Sequence, residues 1–298
     1  MQTSSTLSMT VLILICSSFF VLAEQAKNKD ETPKSNNNTE SLPQLISLDQ
    51  QYQEDLKHYL PNSKVNPILV GTQEYITLIN ENTSPNNKGV AILIPDWQQG
   101  AMSPKAINFL RKALPKQGWT TISIQPNAKP DEFPSTALKL SAQIEENNII
   151  LDKYKASFLA MINTVSNKAK AYPGIVMMIV QGNHGAILID LLESNEKLEA
   201  PNAIILLSSY VLTGEELLDE SNSVFAKALA NSEPAVLDLY LQHDNAIVID
   251  KAPQRLALAK QEMKIYYRQR QLNNTTMGFY PDQVLITQIN SWLKSIGW

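Results

Sequence analysis

The sequence predicts an α/β protein built on a mainly parallel sheet with helices on both faces. Three observations carry that expectation. Short continuous apolar runs, such as GVAILIP from Gly89 and IVMMIV from Ile175, suit strands buried on both sides. Amphipathic helical stretches alternate with those runs, as crossover helices between parallel strands do. The body of the chain has no internal repeat, no sustained heptad and no second polar linker, so one domain accounts for it.

The chain begins with two segments outside that body. Thr10–Leu22 (TVLILICSSFFVL) is a mostly apolar stretch followed by the small Ala23. It has the length of a signal-peptide core and is short for a membrane span, so residues 1–23 read as a cleavable signal peptide. The preceding MQTSSTLSM holds no Lys or Arg, and an uncleaved segment would act as an anchor instead. Cys16, the single cysteine, follows the bulky Ile15 and leaves with the signal. The mature chain then has no thiol, which excludes disulfides, thiolate catalysis and cysteine metal sites. Residues 24–41 are polar and low in complexity and read as a disordered linker. Their Asn37-Asn38-Thr39 matches a glycosylation acceptor, a pattern frequent by chance in Asn-rich tracts. Residues 42–298 form the expected domain.

Within it, a helical segment spans Ser47–Tyr59, and GTQEYITLIN (71–80) alternates like a strand before the turn SPNNKG. GVAILIP is the next strand. SPKAINFLRKALPKQG sets Ile107, Leu110 and Leu114 on one helical face, with Ser103 as the expected N-cap and Pro104 in the first turn. WTTISIQP (119–126) is a strand and 126–134 a Pro-rich loop. A helix is expected over 151–170, then a strand from Ile175 and a helix through Leu192. AIILLSS (203–209) and AVLDLYLQHD (235–244) read as strands. APQRLALAKQEMKIYYRQRQL holds a helix and a strand, and DQVLITQINSWLKSIG is the closing helix.

Between the strand at 175 and its helix lies QGNHGA. A strand turning sharply through small residues into a helix is the shape that displays a nucleophile, usually the serine of Gly-x-Ser-x-Gly. Here the displayed residue reads as His184, with Gly182 and Gly185-Ala186 as small neighbours. Such a turn needs positive φ, which His takes more readily than most side chains.

Several stretches together, GVAILIPDW, LRKALPKQGWTTISIQP, QGNHGA, AVLDLY, and YYRQRQL with INSWL, resemble the α/β-hydrolase-like domain-of-unknown-function family 3530. The resemblance runs from about residue 50 to the C-terminus. It implies an α/β-hydrolase-like fold and an envelope setting, and supplies no reaction. In that fold the acid of a triad follows the strand after AIILLSS, where Asp244 stands, with Asp238 as a substitute inside the strand. The catalytic histidine belongs in the loop before the last helix, but NNTTMGFYPDQ contains none. The remaining histidines, His58 and His243, lie elsewhere. One oxyanion donor would be the Gly185 N–H, and the other would come from the Pro95-Asp96-Trp97 loop. An inward Asp96 carboxylate would repel an oxyanion, whereas an outward one is simply a helix-capping or turn residue, the commoner fate of Asp.

A site with a histidine for a nucleophile and no base lacks Ser-type chemistry. His184 and Asp244 are the degenerate catalytic candidates, and Asp96, Trp97 and Gly185 the candidates for lining the leftover cleft. His184 either leans toward Asp244, or Asp244 caps a turn and His184 faces water or packs on Trp97. No phosphate loop of Walker or dinucleotide type is present, so no cofactor is expected. Ser208-Ser209 reads as a capping pair. His243 and Asp244 are adjacent on an extended segment and point apart, so no metal site is expected. A net charge of −4 with interspersed signs offers no footprint for nucleic acid. The expectation is an exported, non-catalytic protein that binds a small molecule or an envelope protein, touching the membrane only through an uncleaved signal. The alternative is a hydrolase of atypical mechanism using His184 with Asp244; a purely structural role is the third reading.

Overall fold

The computed structural model describes residues 46–61, 64–194 and 198–298. The expected signal peptide and linker lie outside the described residues. Among the described residues the elements are α1 (Leu48–Tyr59), β1 (Val65–Val70), β2 (Gln73–Asn80), β3 (Gly89–Ile94), α2 (Ala106–Ala113) and β4 (Trp119–Ile124). After them come α3 (Leu140–Ala169), β5 (Ile175–Gln181), α4 (Asn183–Ser194), β6 (Ala203–Leu207), α5 (Leu218–Asn231), β7 (Ala235–Leu241), α6 (Ala246–Gln261), β8 (Tyr267–Leu272) and α7 (Asp282–Ser295). The eight strands form one sheet in the order β1-β2-β4-β3-β5-β6-β7-β8. β2 runs antiparallel to both β1 and β4, and β4-β3-β5-β6-β7-β8 are parallel.

β3, β4 and β6 are buried along their whole length, which is why β3 and β6 read as unbroken apolar runs, while β4 buries Thr120, Thr121 and Ser123 as well. Alternate residues of each strand feed two cores, one on either face. Ile92, Met178, Ile204 and Val236 pack with α3, α4 and α5, while Leu93, Ile179, Ile205 and Leu237 pack with α2 and α7. The register pairs Ile94 with Val180, Gln181 with Leu207 and Leu207 with Leu239. The strand ends are therefore flush, and the segments after β3, β5, β6 and β7 gather on one edge. β3 hands the chain to β4 on one side and has β5 on the other, so the crevice sits where the winding reverses.

Four local expectations are corrected. α2 starts at Ala106 behind Lys105 with no side-chain cap, because the Ser103 hydroxyl donates instead to Gln99 Oε1 at 3.1 Å. α3 begins at Leu140, eleven residues before Leu151, through a first part with only Asn147 buried and so no apolar stripe to read. β1, VNPILV, was not foreseen; it is an edge strand, where Pro67 costs no central ladder bond. α5 was missed too, and it buries Phe225, Ala226 and Leu229 behind an acidic, polar first turn.

Candidate functional site

The tip of the turn after β5 is Gly182, not His184. Gly182 has φ +59°, the left-handed region that glycine enters without penalty, and α4 begins at the next residue. His184 thus lies inside the helix, fully buried. The spacing carried the signal: the glycines of Gly-x-Ser-x-Gly are four apart, whereas Gly182 and Gly185 are three apart. Gly185 serves packing. A Cβ there would fall 2.1 Å from Ser209 Oγ, so only glycine lets α4 approach the end of β6. Its N–H donates to the Gly182 carbonyl at 3.1 Å and is no oxyanion donor.

Two other N–H groups converge at the tip. Asn183 N–H donates to Asp96 Oδ1 at 2.9 Å, and Trp97 N–H donates to the same oxygen at 3.0 Å. These are the residue after the turn tip and a residue of the loop after β3, the two places from which oxyanion donors come in a nucleophile-elbow hydrolase. The Asp96 carboxylate therefore fills the position that a substrate oxyanion would take. It also covers the tip: a Cβ on Gly182 would lie 2.3 Å from the Asp96 carboxyl carbon. Burial raises the pKa of Asp96, opposed by the N–H donors of Asn183 and Trp97, the Asn183 side chain and the Lys105 charge.

His184 does not meet Asp244. Its Nδ1 donates to the Pro95 carbonyl at 2.5 Å, and its Nε2 lies 2.6 Å from the Tyr154 hydroxyl, whose oxygen is also 2.7 Å from the Asn127 carbonyl. The ring stacks on Phe158 with centroids 4.8 Å apart, and Trp97 meets it edge-on at 6.3 Å. Complete burial lowers its pKa from 6.5 to about 4 against the Pro95 bond, so the imidazole is neutral. Of the placements foreseen, pairing with Asp244 and exposure to water are both corrected, and the ring packs against Trp97 and Phe158.

Asp244 lies across the crevice. Its Oδ2 accepts from the Ser208 hydroxyl at 2.5 Å and from Leu241 N–H at 2.9 Å, and its Oδ1 accepts from Asn245 N–H at 2.8 Å. Ser208 has φ +50°, and its oxygen is 2.6 Å from the Tyr280 hydroxyl. His243 Nδ1 donates to the Asn274 carbonyl at 2.7 Å and ties the end of β7 to the final loop. Asp238 is buried far from any triad role, paired with Arg255 at 2.8 Å. A polar crevice of about 290 Å³ is lined by Asp96, Gly182, Ser208, Asp244, Lys105 and Gly278. Gly278 belongs to the loop where a base would stand, and the crevice has no histidine in its lining.

Beside it, a second cleft of about 430 Å³ opens between α3, α4 and α5. Trp97 and Asn183 line it, so it adjoins the turn tip; Asp96 and Gly185 do not. The sequence reading missed this cleft because α5 and the first turns of α3 form its walls.

This strand order, with a sharp glycine turn after β5 and an acid after β7, defines an α/β-hydrolase-like protein. The chain matches over residues 5–295 the model of the family described as "Protein of unknown function (DUF3530)", and it belongs to that family. Solved structures with the same fold include dienelactone hydrolase from Anabaena variabilis ATCC 29413, at 11% identity and TM-score 0.53, covering 78% of this chain and 96% of that one. Est1E from Butyrivibrio proteoclasticus aligns at 10% identity and TM-score 0.55, covering 78% and 98%. Thermogutta terrifontis esterase 2 phosphorylated by paraoxon aligns at 12% identity and TM-score 0.54, covering 80% and 98%. No curated protein matches in sequence. At these identities the likeness is one of fold.

Proposed function

We propose that this protein is an exported, non-catalytic member of the α/β-hydrolase fold that binds a ligand or envelope partner beside a blocked hydrolase centre. The observation that carries the reading is the Asp96 carboxylate on the N–H groups of Trp97 and Asn183, above a turn tip that is glycine. A negative charge there opposes the charge that builds on a tetrahedral intermediate. Gly182 brings no nucleophile. Without general-base assistance such sites lose about 10²–10⁴ in rate as well. The export part rests on the apolar Thr10–Leu22 and on Ala23. The competing reading, hydrolysis by His184 with Asp244, draws no support from a histidine whose two nitrogens are held by Pro95 and Tyr154.

The test is hydrolysis of 4-nitrophenyl acetate and butyrate by purified protein. Turnover is expected at the uncatalysed background in wild type and in His184→Ala alike. Robust turnover abolished by His184→Ala would restore the hydrolase reading. Intact mass of protein from the cell-envelope fraction checks export, with a chain starting at Glu24 expected and recovery only from the cytosol contradicting it.

A further inference from the structure

The cleft between α3, α4 and α5 carries the non-catalytic reading further. Its inner wall is apolar and deep: Trp97, Ile187 and Phe225 line it and are 3%, 8% and 4% exposed. Its rim holds apolar side chains that face water, Ile144 at 38% and Val224 at 57% exposure. A volume of about 430 Å³ falls in the range of small-molecule sites. Two lining side chains, Asn147 and Asn183, each have an amide nitrogen without a hydrogen-bond partner. Asn147 is 4% exposed, and its Oδ1 accepts from Ser135 N–H at 2.7 Å, which fixes the amide plane. Its Nδ2 has no hydrogen-bond partner. A buried donor left unmade costs free energy that an entering acceptor recovers.

Charge narrows the class. Lys155 at the cleft is neutralised by Asp190 at 2.6 Å, Glu220 is a further lining acid, and Asp96 sits behind Trp97 and Asn183. The surroundings are net negative, so an anionic head is disfavoured and a neutral acceptor is not. We propose that this cleft binds a neutral, mainly apolar carbonyl compound of the ester or amide class, its chain against Trp97, Ile187 and Phe225 and its oxygen on Asn147 Nδ2.

The proposal rests on the non-catalytic reading, and one experiment separates the two. The purified chain is titrated with methyl octanoate, sodium octanoate and octane, following the side-chain amide signals of Asn147 and the Trp97 indole signal by NMR. The expected result is saturable binding of methyl octanoate with shifts at both residues, weaker binding of octanoate, and intact ester throughout. Asn147→Asp keeps the acceptor for Ser135 N–H and loses the donor; it is expected to weaken ester binding about fivefold, the size of one hydrogen bond. Val224→Arg, an exposed change on α5, is expected to weaken binding of every probe. No saturable binding of any probe overturns the cleft and leaves the blocked centre untouched. Equal binding of octane and ester, indifferent to Asn147→Asp, overturns the acceptor contact, and preference for octanoate overturns the neutral class. Release of methanol would uphold the site and overturn the non-catalytic reading instead.

Discussion

The polar cluster under α6 and the one at the turn after β5 are built on opposite rules. Under α6, Asp238 and Arg255 form an ion pair at 2.8 Å, with Asp238 also accepting from Tyr267 at 3.0 Å and Gln269 at 2.9 Å. Burial acts to lower the pKa of Arg255, but the Asp238 charge and hydrogen bonds outweigh it and raise it. At the turn after β5, the half-buried Asp96 and the fully buried His184 have no ion-pair partner among the described residues. Asp96 is held by backbone N–H groups, and His184 stays neutral between a carbonyl and a hydroxyl. The first cluster is a charge-compensated strut that pins α6 to the sheet. The second sits beside the clefts and is stable only in the protonation states that burial allows. A buried ion pair marks the architecture under α6, and the turn beside the clefts is built without one.

The largest expected effect tests the strut. Asp238→Ala strands the Arg255 guanidinium, which is 1% exposed, and a buried pair broken on one side costs about 3–5 kcal/mol. Urea denaturation of wild type and variant measures it. A cost under about 1 kcal/mol would mean the pair is not a strut, since exposed pairs are worth that little, and would erase the contrast between the clusters.

The next effect tests the neutral histidine. With the folded pKa near 4 and the reference at 6.5, the unfolded chain binds the extra proton between those values. The stability that His184 contributes is thus complete above pH 6.5 and drains away as pH falls toward 4, by about 3 kcal/mol. The sign is the reverse of what a bond to Asp244 would give. A side-chain NMR titration of His184 reads it directly, and a ring that titrates at or above 6.5 would place an undetected anion beside it.

Much of this was legible in the sequence, for reasons that also mark where reading stopped. β3 and β6 are apolar throughout because both faces are covered, β5 and β7 depart from this only at Gln181 and Asp238, and α7 shows a clean stripe ending in Trp292-Leu293. α5 and the start of α3 were illegible because they wall a cleft, and a cleft wall has no strict apolar stripe. QGNHGA and Asp244 named two segments that the fold brings to one crevice. The detail of the site was not legible, since a turn motif was aligned on a histidine although glycine is the residue that φ +59° favours. Asp238 sits in the family-like AVLDLY stretch, and its partner Arg255 is seventeen positions away, a pairing that local pattern does not reveal.

The smallest effect probes the block itself. If the Asp96 carboxylate is seated over the tip, a side chain at residue 182 has nowhere to go. Gly182→Ser must hold φ near +59° and place a Cβ 2.3 Å from the Asp96 carboxyl carbon. Strain of this kind costs about 1–3 kcal/mol. Asp96→Ala alone leaves two N–H groups short of an acceptor, at about 1–3 kcal/mol. In the double variant the clash is gone, and the new serine hydroxyl lies near the N–H groups that Asp96 had occupied. The two costs are therefore expected to fall short of additivity by about 1 kcal/mol, read from a double-mutant cycle in urea. Ester hydrolysis is expected to stay at background in all of these variants, because NNTTMGFYPDQ still offers no histidine to deprotonate the serine. Strictly additive costs would show that Asp96 yields freely and is no seated block. The elbow cluster would then be as indifferent to its aspartate as an exposed turn, and the difference from the Asp238 strut would rest on charge pairing alone.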